Sequence, residues 1–143
     1  MEDLKQMDIP LEVRKIIAES LFIDLEQVKE SSLLIKDLGA ESIDFLEIMF
    51  KLEKKFNIKI PQREIEKQAR GDMKPEEFEV EGLLQPKGIA RLRELLPEVD
   101  PQKWRAGMAL RELPALFTVG VFIGIVQRKL DGTLFQSSQN NAA

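Results

Sequence analysis

Residues 37–61 read DLGAESIDFLEIMFKLEKKFNIKIP, and the spacing of their apolar side chains predicts a helix over 42–56. Phe45, Ile48, Met49, Leu52 and Phe56 recur at i, i+3, i+4, i+7 and i+11, which gathers them into one buried stripe. Ile43, Leu46 and Phe50 fall on a neighbouring face and widen the apolar surface beyond what a core alone requires. Of these three, Leu46 reads as core. Gly39 gives the backbone freedom needed just before the helix, Asn57 suits its C-cap, and Ile60 with Pro61 marks the break. Ser42 stands where the glycine-containing loop meets the helix N-terminus, so its hydroxyl is exposed and the adjacent amides favour a neighbouring phosphate. On position alone the plainer reading is a helix cap, because serine is a preferred N-cap.

Working outward, residues 10–22 form a first helix with Pro10 in its first turn and Leu11, Ile16, Ile17 and Leu21 at helical spacing. A short turn follows Asp24, with Val28 as its anchor, and 31–41 is a loop whose Leu33, Leu34 and Leu38 tuck inward. A short helix is expected over 61–70, ending at Gly71. From 71 to 82 the pattern is lost in a charged connection with a brief extended piece at 78–80. Residues 85–96 return to helix, with Pro86 near the first turn, a stripe of Ile89, Leu92 and Leu96, and Pro97 as the stop. Asp100 and Pro101 open a short helix carrying Trp104. The last helix starts at Thr118 and carries Val119, Phe122, Ile123, Val126 and Leu130, with Arg128 and Lys129 complementing its dipole. Residues 131–143 are polar and unpatterned, and read as a disordered tail.

Composition narrows the chemistry. The 143 residues contain no Cys and no His, which removes disulfides, thiolate nucleophiles, the commonest general base and the commonest zinc ligands. With 43% hydrophobic and 32% charged residues, the chain has enough apolar material for a core. No catalytic pair stands out, so the chain reads as no enzyme, with no catalytic residue and no metal site. Net charge is −4 and unevenly spread: residues 1–66 hold 15 acids against 10 bases, residues 67–143 hold 10 against 11. The acidic first half disfavours nucleic acid and suits partners with basic surfaces. Residues 1–10 are acidic and lack the apolar core of a secretory leader, which makes a cytoplasmic location the expectation. The most apolar stretch, 113–126, is interrupted by Pro114, Thr118 and Gly120 and falls short of the about 20 residues a membrane span needs. It reads as a buried helix.

The wider segment around Ser42 resembles the acyl carrier protein family, whose modified serine lies in a stretch written D-L-G-A-D-S-L-D. Asp37, Leu38, Gly39, Ala40, Glu41, Ser42, Ile43 and Asp44 reproduce it with two conservative departures, Glu41 for Asp and Ile43 for Leu. Glu47, Leu52 and Glu53 match the family's second helix, and Phe56, Ile60 and Pro61 match its usual ending. Upstream, VRKIIAESLFID (13–24) resembles the first helix and SSLLIKDLGA (31–40) falls at the expected distance before the serine. Downstream, Phe117, Thr118 and Val119 followed by an apolar helix resemble the start of the last one. Residues 67–116 have no counterpart in a minimal carrier and look like an insertion between its third and fourth helices.

This resemblance implies an all-α, acyl-carrier-protein-like antiparallel four-helix bundle with an inserted helical segment. Residues 1–66 would hold helices one to three, 67–116 the insertion, 117–130 the last helix and 131–143 the tail, within one structural domain. It also implies a covalent 4′-phosphopantetheine, taken from coenzyme A and attached to Ser42 by a phosphopantetheinyl transferase that brings its own base and metal. The thiol absent from the chain would arrive with that arm and carry acyl groups as thioesters. Glu41, Ile43, Asp44, Leu46, Glu47 and Phe50 are the expected partner-recognition residues. The partners implied are acyl-processing enzymes (synthases, acyltransferases or acyl ligases), served by a monomer with no membrane span. Lys51, Lys54 and Lys55 make the recognition helix less negative than usual, which points to a specialised fatty acid, lipid or polyketide pathway. Two alternatives stay open: an unmodified helical interaction module and an aminoacyl or peptidyl carrier. For the insertion, Ile89, Leu92, Leu96, Trp104, Met108 and Leu110 are expected to form a small layer over the core, either as plain padding or as a cover for an acyl cavity or partner.

Overall fold

The computed structural model describes residues 8–60 and 64–132, with backbone alone for 64–66. The expected all-α architecture is found. Helix α1 (Ile9–Leu21) opens where Asp8 Oδ1 accepts the Leu11 N–H at 3.2 Å, and closes at Phe22 in the left-handed region. Arg14 reaches from α1 to donate to the carbonyls of Val28 (2.6 Å) and Leu25 (3.1 Å), which pins the short 3-10 turn Leu25–Gln27 against it. Helix α2 (Ser42–Phe56) ends at Asn57 with φ 55°, the C-cap expected of it. Helix α3 (Glu64–Arg70) closes at Gly71; the start expected for it at 61–63 lies outside the described residues. Helix α6 (Val119–Asp131) is capped by Thr118, whose hydroxyl accepts the Val121 N–H at 3.2 Å.

Helices α1, α2 and α6 pack on one another around Val13, Ile17, Ile48, Leu52, Phe56, Phe122 and Val126, all at most 1% exposed. Phe45, Phe117 and Phe122 interlock with ring centroids 5.4–6.1 Å apart, in the tilted and edge-on geometries that aromatic pairs prefer. The loop before α2 is stitched to the head of α6. Leu34 N–H donates to Phe117 O, Val119 N–H to Ser32 O and Gly120 N–H to Glu30 O, at 2.9–3.1 Å. These bonds satisfy amides that a helix start otherwise leaves open.

Between α3 and α6 the chain builds more structure than its sequence pattern suggests. Helix α4 (Pro75–Phe78) and a small antiparallel hairpin, β1 (Glu79–Val80) with β2 (Leu83–Leu84), follow α3; β1 falls on the brief extended piece expected at 78–80, while α4 and the pairing with β2 replace the unpatterned connection expected around it. Glu81 and Gly82 both adopt positive φ, the backbone that a tight two-residue hairpin turn requires. Elements of two to four residues are too short for periodicity to register. They are held by burial of Phe78 (3% exposed) and Leu84 (0%) instead. Helix α5 (Pro86–Leu95) forms as expected; the short helix opened by Asp100 is a 3-10 turn, Pro101–Lys103, which Asp100 caps through the Gln102 N–H and which ends before Trp104, the residue expected within it. The apolar stretch over 113–126 is divided rather than one buried helix: a 3-10 helix, Leu110–Leu116, precedes α6. Pro114 lacks the N–H that a continuous α-helix would need at that point.

Ile89, Leu92, Leu96 and Met108 are buried and belong to the same core cluster as α1, α2 and α6, with Trp104 and Leu110 packed partly buried against it. The start of the 3-10 helix and the residues just before it are hydrogen-bonded to the hairpin, since Leu110 N–H donates to Gly82 O at 2.7 Å and Leu84 N–H to Met108 O at 2.8 Å. Among the described residues no helix is long and apolar enough to cross a membrane. The tail expected to be disordered lies, apart from Asp131 and Gly132, outside the described residues.

Candidate functional site at the start of the second helix

Five residues of the 37–44 stretch have a local task. Asp37 Oδ2 accepts the Leu33 N–H at 2.8 Å, and Ala40 N–H returns to Leu34 O at 2.9 Å, so the loop closes on itself ahead of the helix. Gly39 takes φ 75°, a left-handed conformation that a side chain would strain. Ala40 is buried and anchors the loop end. Glu41 then turns extended and occupies the N-cap position; Asp44 Oδ2 accepts its N–H at 2.8 Å.

Ser42 is therefore the first helical residue and not the cap, which corrects the plainer reading of it. The Glu41–Asp44 pair closes the helix end, so the serine hydroxyl is not needed there. Ser42 is exposed, and its hydroxyl makes no hydrogen bond with the described residues.

Beside it lies a half-open cleft of about 490 Å³. One wall is α2, with Ser42, Phe45, Leu46 and Met49; the other comes from Gly82 in the hairpin and from Leu110, Arg111, Leu113, Pro114 and Phe117. Among the lining residues only Ser42 and Arg111 carry a polar side chain, and the volume is in the range of ordinary small-molecule sites.

The residues expected to meet partners separate into two groups. Ile43, Leu46 and Phe50 are 69%, 48% and 57% exposed, on the face that i, i+3, i+7 spacing brings together. Leu46 is thus not core: the core is filled by Phe45, Ile48, Leu52 and Phe56, and Leu46 turns to the cleft and the surface. Lys54 Nζ sits 4.9 Å above the Phe50 ring and occupies one face of it. Of the acids, Asp44 has its carboxylate engaged in the helix start, while Glu41 contributes only its backbone there and is exposed, as is Glu47 on the next turn. Lys55 points away, to Glu12 on α1 at 3.5 Å.

The second wall was not legible beforehand. Leu110 was expected in a layer, but Arg111, Leu113 and Pro114 carried no signal as site residues. The nearest clue is the three-residue spacing of Leu110, Leu113 and Leu116, which suits a 3-10 helix. This wall is locally braced by Glu112. Its Oε2 accepts the Ala109 N–H at 2.8 Å and its Oε1 meets Arg105 Nη2 at 2.8 Å. The Ala109 amide, aided by Arg105, holds the Glu112 carboxyl below its ordinary value despite some desolvation.

Comparison with known proteins fits this geometry. Residues 12–69 match the family described as "Phosphopantetheine attachment site". The acyl carrier protein of Wolinella succinogenes is 45% identical over 58 residues, which are 41% of this chain and 76% of that protein. Those of Campylobacter curvus (46% over 56 residues) and Helicobacter pylori (45% over 56 residues) share 39% of this chain and 73% and 72% of theirs. The chain belongs to the acyl carrier protein family. As a member it carries a covalently attached 4′-phosphopantetheine. No solved structure matches the chain significantly. The residues present fit the arm: an exposed hydroxyl without a hydrogen-bond partner among the described residues, an adjoining apolar cleft, and an arginine on the opposite wall.

Proposed function

We propose that Ser42 is the attachment residue and that this carrier holds its acyl cargo against the cleft between α2 and the 110–117 stretch. When attached, the arm supplies the thiol on which acyl groups ride as thioesters. The observation that supports this most is the position of Ser42, exposed, without a hydrogen bond among the described residues, and part of the cleft lining. The chain itself orients the hydroxyl by closing the helix end with Glu41 and Asp44, and offers apolar surface at Phe45, Leu46, Met49, Leu113 and Phe117.

Residues 67–116 are read as an insertion between the third and fourth carrier helices. It supplies most of the second wall, which favours a specialised fatty acid, lipid or polyketide pathway over a general one. Ile43, Leu46 and Phe50, with Glu47 and Asp44 beside them, are the surface offered to the phosphopantetheinyl transferase and to acyl-processing enzymes. Lys51 and Lys54 would tune that surface to dedicated partners, whereas Lys55 is turned to Glu12 on α1.

Intact mass after incubation with coenzyme A and a broad-specificity phosphopantetheinyl transferase tests the attachment. A gain of one phosphopantetheine is expected in the parent and none in Ser42→Ala. A gain retained in Ser42→Ala would move the attachment elsewhere, and no gain in the folded parent would leave an unmodified interaction module as the better reading.

A further inference from the structure

We propose that Arg111 binds the phosphodiester at the root of the arm, so that the inserted segment supplies the cation that fixes the arm's direction. The inference rests on Ser42 as the attachment residue. Arg111 is the charged member of an otherwise apolar cleft lining, and Ser42 lines the same cleft. No hydrogen bond or close ion pair ties it to the described residues; Glu112 attracts it, but that carboxylate is held more strongly by the Ala109 amide and Arg105. A guanidinium placed over apolar surface packs its stem there and leaves its donor fork for an anion.

The phosphodiester is such an anion, and attachment to Ser42 Oγ holds it at the cleft at high effective concentration. Its surroundings on α2 are unfavourable. Glu41, Asp44 and Glu47 flank the serine, and the first cation along the helix is Lys51. Arg111 offsets that local excess of negative charge from across the cleft. With its root held there, the arm is directed along Leu46, Met49 and Leu113 and not away from the protein.

The test compares the parent with Arg111→Gln and Arg111→Lys, each loaded with the arm and checked by intact mass, using phosphorus NMR of the phosphodiester. Arg111→Gln should shift the resonance and narrow it as the root becomes mobile. Arg111→Lys should lie between the two, and high salt should move the parent toward Arg111→Gln. Amide spectra verify that each variant is folded. Indistinguishable phosphorus lines from folded, loaded parent and Arg111→Gln would overturn the role of Arg111 and leave Ser42 attachment standing. A parent that gains no mass would instead overturn the attachment and this inference with it.

Discussion

Glu98 and Arg128 meet across the bare face of Gly124. Arg128 Nη1 donates to Glu98 Oε2 at 2.5 Å and Nη2 to Oε1 at 3.1 Å, a two-pronged pair between the end of α5's segment and α6. Arg128 Nη2 also reaches the Leu95 carbonyl at 3.2 Å. A Cβ on residue 124 would lie 2.0 Å from Glu98 Oε2, so the glycine makes room for the carboxylate. Both side chains keep about a quarter of their surface exposed, and the pair is worth no more than a well-formed surface bridge.

That relationship predicts how the pair responds to Gly124→Ala. A double-mutant cycle of Glu98→Ala with Arg128→Ala should give a coupling of about 0.5–1 kcal/mol in the parent. In a Gly124→Ala background the coupling should fall close to zero, because the carboxylate has been displaced. Urea unfolding of the eight proteins measures both; equal coupling in the two backgrounds would contradict the geometry.

Gly88→Ala should have the opposite sign from an ordinary helical Gly→Ala change. In an open helix interior alanine gains about 1 kcal/mol. Here the new Cβ would meet the Phe78 carbonyl oxygen at 2.5 Å and its ring at 2.9 Å. Backbone cannot yield as a side-chain tip can, so a net loss of about 1–3 kcal/mol is expected from overpacking. A denaturation midpoint at or above the parent's would mean that α4 and α5 approach less closely.

Asp44 and Glu47 are both acids of the expected partner surface, but only Asp44 closes the helix end. Asp44→Ala should lower stability by about 0.5–2 kcal/mol and fray the turn that carries Ser42. Glu47→Ala should stay within about 0.5 kcal/mol of the parent. Loading kinetics that fall for Glu47→Lys in a salt-dependent way would then report partner contact free of any folding effect. Unchanged rates at low salt would remove Glu47 from that surface.

Acid should loosen the second wall of the cleft. The Glu112 carboxyl sits below 4.5 when folded, through the Ala109 amide first and Arg105 after it. A depressed folded value means that its contribution is complete above 4.5 and is lost as pH falls through the lower folded value. Glu77, held down chiefly by the Lys87 ammonium at 2.7 Å and also by the Lys74 amide, behaves alike at the start of α4. Trp104, the single tryptophan, lies in this segment and reports on it by fluorescence. Its acid transition should be smaller in Glu112→Gln; an identical transition would show that Glu112 does not brace the wall.

Much of this protein is settled by the sequence acting locally. The stripe of Phe45, Ile48, Leu52 and Phe56 specifies α2 because a 3.6-residue period needs only neighbours along the chain. Thr118, Asn57 and Asp100 mark element ends because capping bonds span two to four residues. The 37–44 stretch presents Ser42 for the same reason, with Asp37, Gly39 and Asp44 completing every bond within a few positions. Tertiary structure alone decided the rest. Leu46 is surface and cleft where its character suggested core, since Phe45 with its two neighbouring rings, Phe117 and Phe122, already fills the core on that side of α2. Helix α4 and the pairing of β1 with β2 rest on the burial of Phe78 and Leu84; only the extended character of 78–80 shows in the sequence. Ser42 and Arg111 share one cleft because Leu110 bonds to the hairpin turn and Phe117 packs on Phe45. Contacts between positions so distant in the chain leave no period in the sequence, because either residue finds the other only after both segments have packed on a common core.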